Sequence, residues 1–254
     1  MRRNDESGQV AVETAIVLPL FVFMLLGILQ LGLMHQARLL TKYAAYKAVR
    51  AGSLHNADVG AMERAAVAVL LPMASQAANS GGAEVIKPVN DASSFRDKWE
   101  SGFKDNQMPD ADLKFAEVTI CGPLKGDVSS GVTQSGKEMD FDNPKAAVGG
   151  GSWDDSLRTK LRVQVTFNYR LPIPFADVVI YNIARGLEIP WVLRLGKTSS
   201  RREFVNGRMS AYDSAAGNKI YILPIRATYN MRMHSNFYLT QKALPEDNQC
   251  IFPF

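Results

Sequence analysis

Residues Gly8 to Leu40 read GQVAVETAIVLPLFVFMLLGILQLGLMHQARLL, and from Thr14 to Ala37 no side chain carries a full charge. The most apolar part, Thr14 to Met34, is long enough at about 1.5 Å per residue to cross a hydrocarbon core of roughly 30 Å. The stretch therefore predicts a membrane-spanning helix. A cleaved secretory signal would show a shorter apolar core of roughly 7 to 15 residues, a basic leader and a small-x-small cleavage site. Here Arg2 and Arg3 are offset by Asp5 and Glu6, and nothing past Met34 resembles such a site before Ala44 and Ala45.

One carboxylate breaks the pattern. Glu13 stands at the threshold of the uncharged run, five residues past Gly8, and two readings fit it. It can lie at headgroup level, where an ionised group is well solvated. Alternatively it enters the bilayer with the helix, where an acid at the centre costs on the order of 2.5 to 3.5 kcal/mol on insertion scales, and must find a cation. Pro19 removes one backbone hydrogen bond from the run, and with Gly27 and Gly32 allows a bend or a close helix approach. Both residue types are in any case commoner in membrane helices than in soluble ones.

Beyond the apolar run, Ala37, Leu40, Ala44, Ala48 and Ala51 recur at steps of three and four, while Arg38, Lys42 and Arg50 fall elsewhere. This spacing predicts that the helix continues unbroken to a stop at Gly52. From Val10 to Ala51 it would form a rod of roughly 60 Å, about twice the bilayer thickness.

About 215 residues then remain, one good-sized soluble domain or two small ones. A second helix is expected from Asp58 to Leu71, with Val59, Met62, Ala66 and Val69 or Leu70 on one face and a break at Pro72. The NSGGA stretch from Asn79 to Ala83 ends any continuation. A third helix is expected from Ser94 to Phe103, with Phe95, Trp99 and Phe103 as a core stripe. Gly122 to Gly151, rich in Gly, Ser, Asp and Lys, reads as loops.

Two strands carry the clearest signal. Leu161, Val163, Val165, Phe167 and Tyr169 alternate with polar residues, as do Ile225, Ala227, Tyr229, Met231 and Met233. Such alternation implies one wet and one buried face, hence an antiparallel sheet lying on a helix. A third strand is expected from Leu113 to Ile120. The turn from Leu171 to Pro174 leads into FADVVIYNIA, which reads equally as an apolar helix or a buried strand. The fold class is α+β, with helices packed on an antiparallel sheet.

Composition excludes several functions. With 46% hydrophobic and 21% charged residues the chain is an ordinary folded protein. Net charge +4 and a pI near 9.0 come from scattered basic residues without a like-charge run, which speaks against nucleic acid. His35, His55 and His234 lack H-E-x-x-H company, there is no Walker loop, and Asp154 spoils both a dinucleotide spacing at GGGSWDD and a G-x-S-x-G at Ser152. Asp140 with Asp142, and Asp154 with Asp155, lack the ligand order of a calcium loop and read as solvated carboxylates. We expect no catalytic residue, cofactor or metal.

Gly8 followed by Gln9, with Glu13 fifth after the glycine, resembles the prepilin-type cleavage motif. More narrowly, GQVAVETAIVLPLFVFMLLGILQLG followed by ARLLTKYAAYKAVRAG is similar to the TadE-like pseudopilins of tight-adherence (Tad) pilus systems, over roughly the first fifth of the chain. In those proteins a G-Q-x-x-V-E-type start precedes an L-P within the apolar run. The late strand RATYNMRMHS adds a short, weaker likeness to their closing strand.

The resemblance implies a pilin-like architecture: a leader at 1–8, a transmembrane and extended helix at 9–52, and a periplasmic α+β domain at 53–254. It implies cutting by a prepilin peptidase between Gly8 and Gln9, with Glu13 pairing the new terminal amine of a neighbouring subunit. It places the chain in the bacterial inner membrane, spanning once with its amino terminus in the cytoplasm. The implied partners are other pilins and pseudopilins, membrane lipid and the pilus assembly machinery. Thr14 stands where major pilins often carry an aromatic residue, which together with the chain's size argues for a minor component acting in assembly, priming or tip formation. The competing readings are an unprocessed membrane-anchored scaffold of an envelope secretion complex and an anchored periplasmic enzyme or binding domain.

Topology and cysteines bear on this. Arg38, Lys42, Lys47 and Arg50 outnumber Arg2 and Arg3, so a positive-inside count favours the opposite orientation. Long domains translocate largely regardless of such charges, and the pilin-like leader places the domain outside. Cys121 and Cys250, the only two cysteines, then lie in an oxidising compartment, where a bridge between them is favoured over two buried thiols. Their separation excludes a local C-x-x-C redox or zinc pattern.

Overall fold

The computed structural model describes residues 7–77, 84–108, 110–129, 138–142, 158–185, 209–238 and 244–251. Its longest element, helix α1 (Ser7–Leu54), takes up 48 residues, about 72 Å at the helical rise. The two halves of α1 differ in what they touch. From Val10 to Leu29 every residue is exposed except Leu26 and Gly27, which are half-buried. Further on, Ala37, Ala44, Ala45, Ala48 and Val49 are completely buried. The alanine stripe has little side-chain bulk, so α1 lies close against the sheet.

Gly52 does not end this helix, as its residue type suggested. It lies inside, where a Cβ would stand 2.5 Å from Met62 Sδ and 2.7 Å from Leu161 Cδ2. The glycine serves close packing between α1, the next helix and the sheet. α1 ends after Leu54, where Asn56 and Ala57 take left-handed backbone angles (φ 55 and 57) and the Ala57 N–H donates to the Gly52 carbonyl at 2.9 Å. Asparagine tolerates that conformation better than most residues.

Helix α2 (Val59–Leu70) is capped by Asp58, whose carboxylate accepts from the Ala61 N–H at 3.1 Å. It buries Met62, Ala66, Val67 and Leu70, while Val59, expected on that face, is exposed at the open first turn. Pro72 falls in a single 3₁₀ turn, Leu71–Met73. Helix α3 (Ala92–Lys98) starts earlier than expected, at the capping box of Asp91 and Ser94, and passes into a π-helical turn, Trp99–Phe103. That wider turn divides the expected aromatic stripe. Phe95 and Trp99 stack with ring centroids 6.1 Å apart, whereas Phe103 turns into the core against Phe115, 4.2 Å away.

The principal sheet is antiparallel, in the order β3 (Ala116–Gly122), β5 (Lys160–Arg170), β6 (Ile222–Arg232). Two-residue strands form two small pairs, β1 (Gln76–Ala77) with β2 (Glu84–Val85) and β4 (Glu138–Met139) with β7 (Phe237–Tyr238). In the main register Val118 lies opposite Val165 and Val165 opposite Ala227, an apolar row across all three strands. This face meets α1: Tyr46 packs edge-on against Tyr229, with centroids 5.4 Å apart. β3 begins later than the expected Leu113, because the preceding segment first makes an isolated bridge between Gln107 and Lys114.

The other face of β5 is not wet. Gln164, Thr166, Asn168 and Arg170 are all buried, and Gln164, Asn168 and Arg170 each bond a segment distant in sequence. Gln164 exchanges two hydrogen bonds with the Ile251 backbone (2.7 and 2.9 Å). Asn168 donates to the Lys114 carbonyl and accepts from the Tyr212 hydroxyl, both at 2.7 Å. Arg170 makes a two-pronged pair with Asp110 (2.7 and 2.9 Å). The domain is therefore three layers thick, with helices, sheet, and a cover of loop, tail and helix α6 (Met209–Gly217). FADVVIYNIA is a helix, α5 (Ala176–Arg185). The expected loop region after Gly122 contains a short helix α4 (Lys125–Ser129) and β4. The NSGGA stretch and GGGSWDD lie outside the described residues.

Candidate functional site: the anchor helix and its foot

Gly8 and Gln9 sit in the first turn of α1, and Glu13 follows them on the same helix, exposed. About 7.5 Å of helical rise separates Gly8 from Glu13. The next residue is accommodated within the helix, the Thr14 hydroxyl donating to the Val10 carbonyl at 2.8 Å. Pro19 is inside α1, so the Ala15 carbonyl lacks its usual helical donor. Around these residues Ile16, Leu18, Leu20 and Phe21 are all exposed. Among the described residues, α1 is the one helix long and apolar enough to cross a membrane.

Where the exposed half of α1 gives way to the buried half, a polar residue marks the joint. Gln30 is completely buried within an otherwise apolar stretch, and its Oε1 accepts from the Ile173 N–H at 3.0 Å. The reason for that donor is legible in LPIPF. Pro172 and Pro174 have no N–H, so Ile173 supplies the only backbone donor between them. Tyr169 is buried at the same joint. Burial pushes its phenol up to about 12, opposed in part by the Gln30 amide beside it. Sequence reading passed over Gln30 because one amide does not interrupt an apolar run.

At the far end of α1 a second set of bonds holds the helix to the sheet. The Asn56 N–H donates to Ser235 Oγ (2.9 Å), its side-chain amide to the Asn236 carbonyl (2.7 Å), and the Ser235 hydroxyl to the Ser53 carbonyl (2.9 Å). On the opposite side of the domain Cys121 and Cys250 are joined by a disulfide with Cα atoms 5.4 Å apart. The bridge fixes the tail beside β3, where Ile251 covers Gln164.

The remaining polar clusters are structural. Lys114 bonds both carboxylate oxygens of Glu63 (2.7 and 3.0 Å), and Arg185 pairs with Asp213. An open groove touches Met108, Asp110, Asp112 and Ser214, but Asp110 is engaged by Arg170. Asp140 accepts from the Asp142 N–H at 3.0 Å, an ordinary turn contact.

An uncovered apolar helix rooted in an α+β domain, the one such helix among the described residues, suggests a single-pass membrane anchor. A family model described as TadE-like protein matches residues 8–50, so over that segment the chain is similar to a structural, pilus-related family of Tad systems. The match covers most of α1 and stops short of the domain. No curated protein and no solved structure matches the chain.

Proposed function

We propose that this protein is a minor pseudopilin, contributing to the assembly, priming or tip of a Tad-type pilus. The observation that carries the reading is the coincidence, within residues 8–50, of the family match, the Gly8-Gln9 pair, and an apolar helix surface without any protein cover except at its foot. In this reading a prepilin peptidase removes residues 1–8 on the cytoplasmic face, leaving Gln9 as the terminal amine. Glu13 then pairs with that amine on a sister subunit. Pairing is the usual condition for keeping a carboxylate in a dry place. Residues 53–254 form the periplasmic part, where an oxidising environment suits the Cys121–Cys250 bridge. The partners are other pilins and pseudopilins, with the assembly machinery.

Sequencing the amino terminus of the protein from its native membrane tests this. The expected result is a chain starting at Gln9. An intact Met1 in cells with an active prepilin peptidase would leave the unprocessed scaffold as the better account.

A further inference from the structure

Helix α5 carries apolar side chains on two sides, and among the described residues only one of these is well covered by protein. At 100° per residue, Ala176, Ile180, Ala184, Asp177, Tyr181 and Arg185 occupy one half of its circumference. Ala176, Tyr181 and Arg185 are buried, and Ile180 and Ala184 pack on the core. The opposite half carries Val178, Val179, Asn182 and Ile183, of which Val178, Val179 and Ile183 are 36, 38 and 50% exposed. Phe175, just before the helix, is 71% exposed. It is held there by a left-handed backbone (φ 69), a conformation that a bulky residue adopts only when its surroundings impose it. No ionisable group lies on this face.

The position of α5 says what covers it. The turn leading into it is fixed to α1 by the Ile173–Gln30 bond, and Gln30 lies four residues before Met34, about 6 Å inside the end of the apolar run. At that level α1 itself exposes Ile28, Leu29 and Leu31, so the α5 face continues the surface of the anchor. Arg38 and Lys42, exposed about one and two turns beyond Met34 on α1, stand where headgroup phosphates would meet them.

We propose that Phe175, Val178, Val179 and Ile183 insert into the acyl–headgroup boundary of the leaflet from which α1 emerges, giving the domain a second attachment to the bilayer. Interfacial helices of this type bury an apolar face about 5 to 10 Å deep, which the 6 Å offset of Gln30 matches. The attachment fixes how the domain stands relative to the membrane before any assembly step. It depends on α1 being embedded in lipid and not on processing after Gly8.

The test uses the full chain in phosphatidylcholine vesicles containing phosphatidylglycerol. Both native cysteines are bridged, so an introduced cysteine is a unique site for a nitroxide label. Val179→Cys and Ile183→Cys report on the proposed face, Val22→Cys on the anchor, and Thr228→Cys on an exposed site of the sheet. Collision with dissolved oxygen relative to an aqueous nickel chelate should be several-fold higher at 179 and 183 than at 228, approaching the value at 22. A ratio at 179 and 183 equal to that at 228 overturns the proposal while leaving the anchor in place. Shielding from both reagents that grows with the protein-to-lipid ratio also overturns it, by assigning the face to a second copy. A water-like ratio at 22 overturns the anchor and this proposal together.

Discussion

Replacing Gln30 by leucine should loosen the joint between anchor and domain without unfolding the domain. The change removes the acceptor for the Ile173 N–H, a 3.0 Å bond. Leaving that donor unsatisfied costs about 1 to 3 kcal/mol. On the other side, Gln30 Nε2 makes no well-formed hydrogen bond and has only its contact with the Tyr169 phenol, so leucine, close to glutamine in volume, removes a poorly satisfied buried polar group. The two terms nearly cancel in global stability, but only the first acts on the 171–175 turn. The opening free energy of that turn should therefore fall by about 1 to 3 kcal/mol, which at about 1.4 kcal/mol per tenfold is roughly 5- to 150-fold faster exchange of the Ile173 amide. Hydrogen exchange on the detergent-solubilised full chain measures this, with Gln30→Glu as control because it keeps an acceptor in place. If Ile173 exchanges at the parental rate in Gln30→Leu, the amide is not what seats the turn on α1 and the argument fails.

Four further outcomes follow from the same structure. Glu13→Ala should insert into the membrane normally and fail in pilus assembly, scored by surface pili; normal piliation would remove the pairing role. Cys121→Ser combined with Cys250→Ser opens a loop closed across 129 residues, for which the chain-entropy model gives an upper-end loss of about 5 kcal/mol; a urea midpoint equivalent to less than about 1 kcal/mol would show that the bridge adds little. Asn106 substitutes for a strand partner, donating to the Ala116 carbonyl (2.6 Å) and accepting from its N–H (2.9 Å) at φ 54, so Asn106→Ala should cost about 2 to 4 kcal/mol in chemical denaturation and Asn106→Gly about 1 less; equal losses would mean that backbone angle plays no part. Burial, with a smaller contribution from Lys87, lowers the Lys98 amine from 10.5 to about 8; the unfolded chain then binds more protons between about pH 8 and 10.5, so stability attributable to Lys98 should rise with pH across that window and the rise should vanish in Lys98→Met.

The parts of the fold that could be read in advance were those where one physical rule acts alone. Leu161 through Tyr169 and the Ile225 series alternate because a strand presents successive residues to opposite faces, and both are strands in a common sheet. The polar partners on β5 were misread as wet for a definite reason. Alternation distinguishes apolar from polar, and Gln164, Asn168 and Arg170 are polar, but it cannot tell water from Ile251, Tyr212 or Asp110 as the hydrogen-bonding partner. Gly52 was misassigned similarly, since a glycine at a helix end and one under a packed Met62 look alike in sequence. α5 was ambiguous because a run of ten residues with Val178, Val179 and Ile180 adjacent suits a buried strand as well as a short helix. The candidate site divides along the same line. Gly8, Gln9 and Glu13 are local in sequence and form a motif, whereas Gln30 matters only through Ile173, 143 residues away.

The continuity of α1 bears on how the anchor and the domain work together. A tether needs only to hold a domain near a membrane, and a flexible linker between the two does this with no demand on packing. Here no linker intervenes. The same helix that exposes most of Ile16 to Leu29 buries Ala37, Ala44, Ala45, Ala48 and Val49 in the core, and it is fastened at Gln30, at Gly52 and again at Asn56. Any rotation or displacement of the apolar half must therefore be transmitted to the sheet, because the buried half can move only with the strands packed on it. Such coupling has no use in a passive tether. It is useful to a subunit that assembles through its helix, since packing the apolar half against sister helices would fix the orientation of the domain at the same time.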